Sequence, residues 1–180
     1  ELVISPMDSV QRALSSLQVG MLVVNPHTGS ILAWVGGSNF KQVQFDHVLS
    51  KRQAGSVFKP IVYAQALRSG VEPCDFIANQ KVTYTQYDDW TPSNSSEREN
   101  GRYSMAGALA NSVNTISVAL CMQAGISNVI KFARSLGIES DLPAKPSIAL
   151  GTAELNLWEL TGAYTAFAND GKKSNLQFLT

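Results

Sequence analysis

Ser56 and Lys59 stand three residues apart in the run Arg52-Gln53-Ala54-Gly55-Ser56-Val57-Phe58-Lys59-Pro60. Residues at that spacing share a helix face, so a hydroxyl and an amine placed there can meet. A serine hydroxyl becomes a nucleophile only when a neighbouring base takes its proton. A lysine amine is such a base once burial lowers its pKa, because burial penalises the charged form. The following Ile61-Val62-Tyr63-Ala64-Gln65-Ala66-Leu67 supplies apolar surroundings. The pair reads either as a Ser-Lys nucleophilic centre or as a serine N-cap with a lysine snorkelling to solvent.

Spacing alone does not decide between these, since Ser38-Asn39-Phe40-Lys41 has the same pattern in what reads as a loop after Gly36-Gly37. Local context separates the two. Gly55 permits a tight turn before Ser56, and Pro60 suits a first helical turn, which predicts a helix starting near Ser56. Arg68-Ser69-Gly70 supplies its basic last turn and C-terminal glycine. Free N–H groups and the dipole at that start favour developing negative charge. A second constellation, Asn111-Ser112-Val113-Asn114, joins two short predicted helices. In an extended or turning connection Ser112 and Asn114 point the same way, one able to relay a proton and the other to offer a donor and an acceptor to a peptide bond. The plainer alternative is that Asn111, Ser112 and Asn114 cap helix ends.

Composition narrows the classes. The chain has 180 residues, 44% hydrophobic and 16% charged, enough to bury a core as one domain or as part of a larger one. Net charge is zero and no basic stripe occurs, which argues against nucleic acid as a partner. Cys74 and Cys121 lack metal-type spacing and read as buried small residues. His27 and His47 read as surface residues, so no metal is assigned. No transmembrane run, signal peptide or repeat is visible, and any membrane tether is expected outside this chain.

The predicted elements begin with an amphipathic helix from Met7 to Leu17, with Val10, Leu14 and Leu17 on one face. Strands 20–24 and 30–35 follow, joined by the turn Asn25-Pro26-His27-Thr28-Gly29. Both strands are apolar for most of their length, so both faces are expected to be covered, one of them by the first helix. Residues 73–102 are irregular, polar and aromatic, with one short strand expected at Lys81–Tyr84, and Thr91–Asn100 reads as a solvated loop rather than a substrate-facing lip. Helices are predicted at 104–111, 115–124, 127–136 and 155–168, with a loop containing Pro143 and Pro146 between the last two.

Ser-x-x-Lys followed by Ser-x-Asn is the pattern of the serine penicillin-recognising proteins. Val24-Asn25-Pro26-His27-Thr28-Gly29-Ser30-Ile31-Leu32-Ala33-Trp34-Val35-Gly36-Gly37 resembles the opening hairpin of class A, bifunctional penicillin-binding protein transpeptidase domains. Residues 51–67 are similar to that family's nucleophile segment, and Trp90-x-Pro92-x-Asn94 resembles its pre-helix loop. Pro146-Ser147-Ile148-Ala149-Leu150-Gly151 and Ala163-Tyr164-x-x-Phe167-Ala168-Asn169-Asp170-Gly171 resemble its later signatures. The resemblance implies an α+β, β-lactamase/transpeptidase-like fold. Here that means the N-terminal hairpin of an antiparallel sheet plus several helices, predominantly helical over 1–180. It implies Ser56 as acyl-accepting nucleophile, Lys59 as proton acceptor, Ser112 as proton shuttle and Asn114 as substrate-binding residue. It further implies acyl transfer on D-Ala-D-Ala stem peptides of peptidoglycan, covalent trapping by β-lactams, no metal or organic cofactor, and an extracytoplasmic location with a membrane anchor elsewhere in the parent protein. A β-lactamase-related hydrolase and a non-catalytic β-lactam sensor are the alternatives.

The family's third motif, Lys-Thr-Gly or Lys-Ser-Gly on a sheet strand, does not occur; Lys172-Lys173-Ser174-Asn175 is the nearest run and follows a helix end. In the family that strand binds the substrate carboxylate and gives one oxyanion-hole N–H, the other belonging to the nucleophile. The chain is thus expected to hold the N-terminal and central part of the domain. Loss of one oxyanion donor costs about 10²–10³ in rate, so the segment alone is expected to be poorly active. An apolar sheet edge left without neighbours is expected to self-associate.

Overall fold

A computed structural model describes residues 5–15, 17–39, 41, 43–95 and 100–178. In chain order the elements are α1 (Pro6–Ser15), β1 (Met21–Val24), β2 (Ile31–Val35), β3 (Arg52–Gln53), α2 (Lys59–Arg68), β4 (Phe76–Ala78), β5 (Arg102–Ser104), α3 (Met105–Ala110), α4 (Asn114–Ala124), α5 (Ile126–Ser135), β6 (Glu154–Leu155) and α6 (Leu157–Ala168). Short 3-10 turns occupy Gly55–Phe58, Thr85–Tyr87 and Pro146–Leu150. The fold is α+β and divides into two compact units, residues 1–51 with 156–180, and residues 52–155.

In the first unit β1 and β2 form the expected antiparallel hairpin, with Met21 opposite Val35 and Leu22 opposite Trp34. Gly29 closes its turn at φ 75, and an added Cβ there would strike the carbonyl oxygen of Asn175. Ser174 is turned inward, its hydroxyl donating to the Pro26 carbonyl and its N–H to Thr165 Oγ1, so this serine secures the hairpin turn from a non-strand segment. α6 starts with a capping box between Asn156 and Glu159 and lies against β1. The expectation that both hairpin faces are covered, one by the first helix, does not hold: Met21, Val23 and Val35 form an exposed face, and Met7, Val10 and Leu17 are themselves exposed. An apolar strand is compatible with burial but does not enforce it. The Leu14 side chain lies outside the described residues. His47 is half-buried rather than on the surface.

The second unit is built on α4, whose Ile116, Val118, Leu120 and Cys121 are all fully buried. A helix apolar all round must be surrounded, and α2, α5 and the 146–150 turn pack against it. Between α2 and α4 the buried hydroxyls of Tyr63 and Ser117 meet at 3.2 Å, and Arg68 in the last turn of α2 holds its guanidinium 4.9 Å over the Phe132 ring of α5. Gly125, at φ 85, turns the chain between α4 and α5 by 90°. No single helix among the described residues is long and apolar enough to cross a membrane.

Two short pairings were not expected from the sequence: β4 with β5, and β3 with β6, both antiparallel. The expected strand at Lys81–Tyr84 is absent, because Tyr84 makes a single bridge to Trp90 and stacks on its ring while the chain turns between them. Cys74 is exposed, correcting the expectation of burial, since it sits in the turn before β4; Cys121 is buried as expected.

Candidate active site

Ser56 does not begin the α-helix. It lies in the 3-10 turn Gly55–Phe58, and α2 starts at Lys59, whose N–H donates to the Ser56 carbonyl. Side chains three apart eclipse in 3-10 geometry, so Ser56 and Lys59 still share a face. Pro60 follows inside the first turn of α2, as its missing N–H permits. The approach to Ser56 is held residue by residue. β3 pairs with β6, the Ala54 N–H donates to the Ala153 carbonyl at 3.0 Å, and the Gly55 N–H donates to the Gly151 carbonyl at 2.9 Å.

Ser56 is exposed, whereas Lys59 is 1% exposed. The Lys59 ammonium donates to the Ser112 carbonyl at 2.7 Å, to Ser112 Oγ at 2.9 Å and to Asn114 Oδ1 at 2.6 Å. An ammonium has three donors, and each has an acceptor here. All three acceptors are uncharged oxygens, so no Coulombic gain offsets desolvation. Burial accordingly lowers the Lys59 pKa to about 8. Ser112 Oγ also stands 3.1 Å from Ser56 Oγ as its hydrogen-bond donor. The four residues singled out in the sequence therefore converge. Among the described residues no hydrogen bond joins Lys59 Nζ directly to Ser56; the connection runs through the Ser112 hydroxyl.

Ser112 reaches this position at a backbone cost. Its φ is 53, in the left-handed region, while Val113 is extended and Asn114 opens α4. The kink lets residues two apart both face Lys59. Asn111, by contrast, is a helix-end group, its amide donating to the Gly107 carbonyl at 2.8 Å. Ser112→Gly is expected to be more stable than Ser112→Ala by about 1 kcal/mol, the reverse of the order in right-handed backbone, because both remove the hydroxyl and only alanine retains the left-handed strain. Thermal midpoints of the two variants check this; alanine equal to or above glycine would show the position to be unstrained.

Sequence reasoning assigned no role to Asn79, Ser93 and Asn94. The stretch read as a solvated loop is a loop with Thr91, Ser93, Ser95 and Asn100 exposed, but it buries Pro92 and brings the Ser93 carbonyl and the Asn94 side chain against α4. Residues 96–99 of that stretch lie outside the described residues. The available signal was Asn94 within Trp90-x-Pro92-x-Asn94, but no local periodicity links it to a helix that begins twenty residues later.

Residues 19–180 match the family described as the penicillin binding protein transpeptidase domain. The chain is 34% identical over 175 residues to penicillin-binding protein 2D of Bacillus subtilis, covering 92% of this chain and 25% of that protein, so it spans about a quarter of that relative's length. In structure it is similar to penicillin-binding protein 1A from Haemophilus influenzae, with a TM-score of 0.79 and 29% identity over 83% of this chain and 23% of that one. It also shares the fold of PonA1 from Mycobacterium tuberculosis, solved in complex with penicillin V, with a TM-score of 0.78 and 24% identity over 94% of this chain and 49% of that one. With nearly the whole chain matched, the protein belongs to the penicillin-binding protein transpeptidase domain family.

Proposed function

We propose that this chain carries the serine acyl-transfer centre of a peptidoglycan D,D-transpeptidase. The observation that supports it most is the hydrogen-bonded chain from Ser56 Oγ through Ser112 Oγ to a buried lysine whose pKa lies at about 8. At neutral pH an ordinary lysine is neutral less than roughly once in a thousand, whereas one at about 8 is neutral roughly one time in ten. Once Lys59 is neutral, the Ser112 hydroxyl turns its proton from Ser56 to Lys59, which takes it as Ser112 accepts that of Ser56. The freed Ser56 oxygen attacks the carbonyl carbon of the penultimate D-alanine of a stem peptide. An ester bond forms, the C–N bond breaks, and the departing D-alanine nitrogen takes the proton back from Lys59 through Ser112. The amine of a second stem peptide then attacks the ester, loses its proton along the same path, and restores the Ser56 hydroxyl. Asn114 contributes by orienting Lys59 and by facing the substrate's peptide group.

This reading places the chain on the extracytoplasmic side, where peptidoglycan lies. It also makes a β-lactam a substrate mimic, the class of ligand present in the PonA1 structure. Intact mass after incubation with a penicillin tests it. Ring opening by Ser56 releases no atoms, so the expected result is one adduct with the full mass of the drug, absent in Ser56→Ala. A chain left unmodified after an incubation lengthened about 10³-fold to offset the missing oxyanion donor, or an adduct that survives in Ser56→Ala, overturns the proposal.

A further inference from the structure

The first N–H groups of an α-helix have no partner within the helix and require an outside acceptor. α4 supplies none locally, because its N-cap is Val113, which makes no side-chain cap bond. The acceptor comes from a distant segment instead. Asn94 Oδ1 takes the N–H of Asn114 at 2.9 Å and that of Thr115 at 3.2 Å. Asn94 is itself aimed by a buried neighbour: its Nδ2 donates at 2.9 Å to Oδ1 of Asn79, a residue 2% exposed. That same Asn79 oxygen accepts the Thr115 hydroxyl at 2.7 Å, and the Asn79 backbone is pinned to the Gly101 carbonyl at 2.9 Å.

The adjacent Ser93 carbonyl accepts Asn114 Nδ2 at 2.9 Å. A side-chain amide has a donor end and an acceptor end, so holding Nδ2 on Ser93 leaves Oδ1 directed at Lys59, where it accepts at 2.6 Å. Asn114 is thereby held both at its backbone and at its side chain from one external segment. Lys59 then ties Asn114 to Ser112, and Ser112 stands against Ser56.

We propose that Asn94 is a positioning residue for acyl transfer: by capping α4 from outside the helix it sets the Asn114 amide and, through Lys59, the Ser112 hydroxyl that faces Ser56. The proposal rests on the transpeptidase reading of that centre. The chemistry explains why an amide stands at 94. One oxygen accepts two helix N–H groups while the nitrogen donates to Asn79, a combination that neither serine nor aspartate offers in full.

Asn94→Ala and Asn94→Asp, compared with the unaltered chain by amide hydrogen exchange and by the rate of penicillin adduct formation, test it. Exchange at the Asn114 and Thr115 amides is expected to rise about ten-fold in the alanine variant, the size of one lost helix cap, with Val62 and Tyr63 of α2 unchanged. Aspartate keeps a cap oxygen but loses the donor that aims it at Asn79, so it is expected to restore protection at both amides only in part. Adduct formation per folded molecule is expected to slow by about ten-fold in Asn94→Ala. Unchanged exchange at those two amides, or a uniform rise throughout the unit, overturns the proposal, as does faster exchange with an unaltered adduct rate. Should the unaltered chain form no adduct, the transpeptidase reading falls, while exchange still decides whether Asn94 holds the start of α4.

Discussion

Lys59→Met is expected to slow acylation of Ser56 by about 10²–10⁴-fold, the usual contribution of a positioned general base. Methionine keeps an unbranched apolar side chain, shorter by its terminal atom, at a buried site but has no basic atom. The Ser112 hydroxyl then has nowhere to pass the proton it takes from Ser56. In the unaltered chain the rate should rise with pH through about 8, as Lys59 loses its proton, and level off above it. The variant's residual rate should show no such limb. The same shift has a consequence for stability. Because burial lowers the folded-state pKa from 10.5 to about 8, protonated Lys59 disfavours the folded state below about 8. Between about 8 and 10.5 the unfolded chain binds a proton that the folded chain does not, so stability rises with pH across that window relative to Lys59→Met. Stopped-flow acylation and thermal midpoints measured over this range check both effects. A variant that acylates at the original rate would remove Lys59 from the mechanism.

Gly151→Ala is expected to destabilise the chain by about 3 kcal/mol and lower its thermal midpoint by roughly 10 °C. Two costs combine. Gly151 has φ 72, which strains any L side chain. Its added Cβ would also strike the Gly55 carbonyl oxygen and stand 2.6 Å from the Gly55 carbonyl carbon, and backbone on that side is itself bonded to Gly151. Relief requires the residue before Ser56 to move, so acylation should fall along with stability. Gly55→Ala is the informative comparison. Gly55 has φ 58 but nothing within 4 Å of an added Cβ, so it carries the strain without the clash and should cost only about 1 kcal/mol. Equal losses for the two variants would show that the close approach of 151 to 55 is not what holds the turn.

The contrast between those glycines separates what is local from what is not. Pro60 inside the first turn, Arg68 and Ser69 at the last, and the three-residue spacing of Ser56 and Lys59 are local properties, and they set the two side chains on one face across the 3-10 turn and the start of α2. The Asn25–Gly29 turn and the apolar runs beside it likewise specify a hairpin, and the ordered signatures from Val24 to Gly171 specify the family. The strand expected at Lys81–Tyr84 and the missed pairing of β4 with β5 mark the limit of such signals. A short run with strand-forming residues becomes a strand only if a partner edge is present, and here that edge met Phe76–Ala78 instead.

Burial is not a local property either. By itself the sequence determined that a serine and a lysine share a helix face, and that a second serine and an asparagine lie two residues apart at a helix junction. Only the tertiary structure decided that Lys59 is enclosed, and it is this desolvation that lowers its pKa. The packing also sets Ser112 in left-handed backbone between Lys59 and Ser56, and it brings Asn94 to cap a helix it does not precede directly. The physical reason is the same in each case: desolvation, strain and an external cap depend on groups distant along the chain, and those meet only when α2, α4 and the segments around Gly151 and Asn94 pack together.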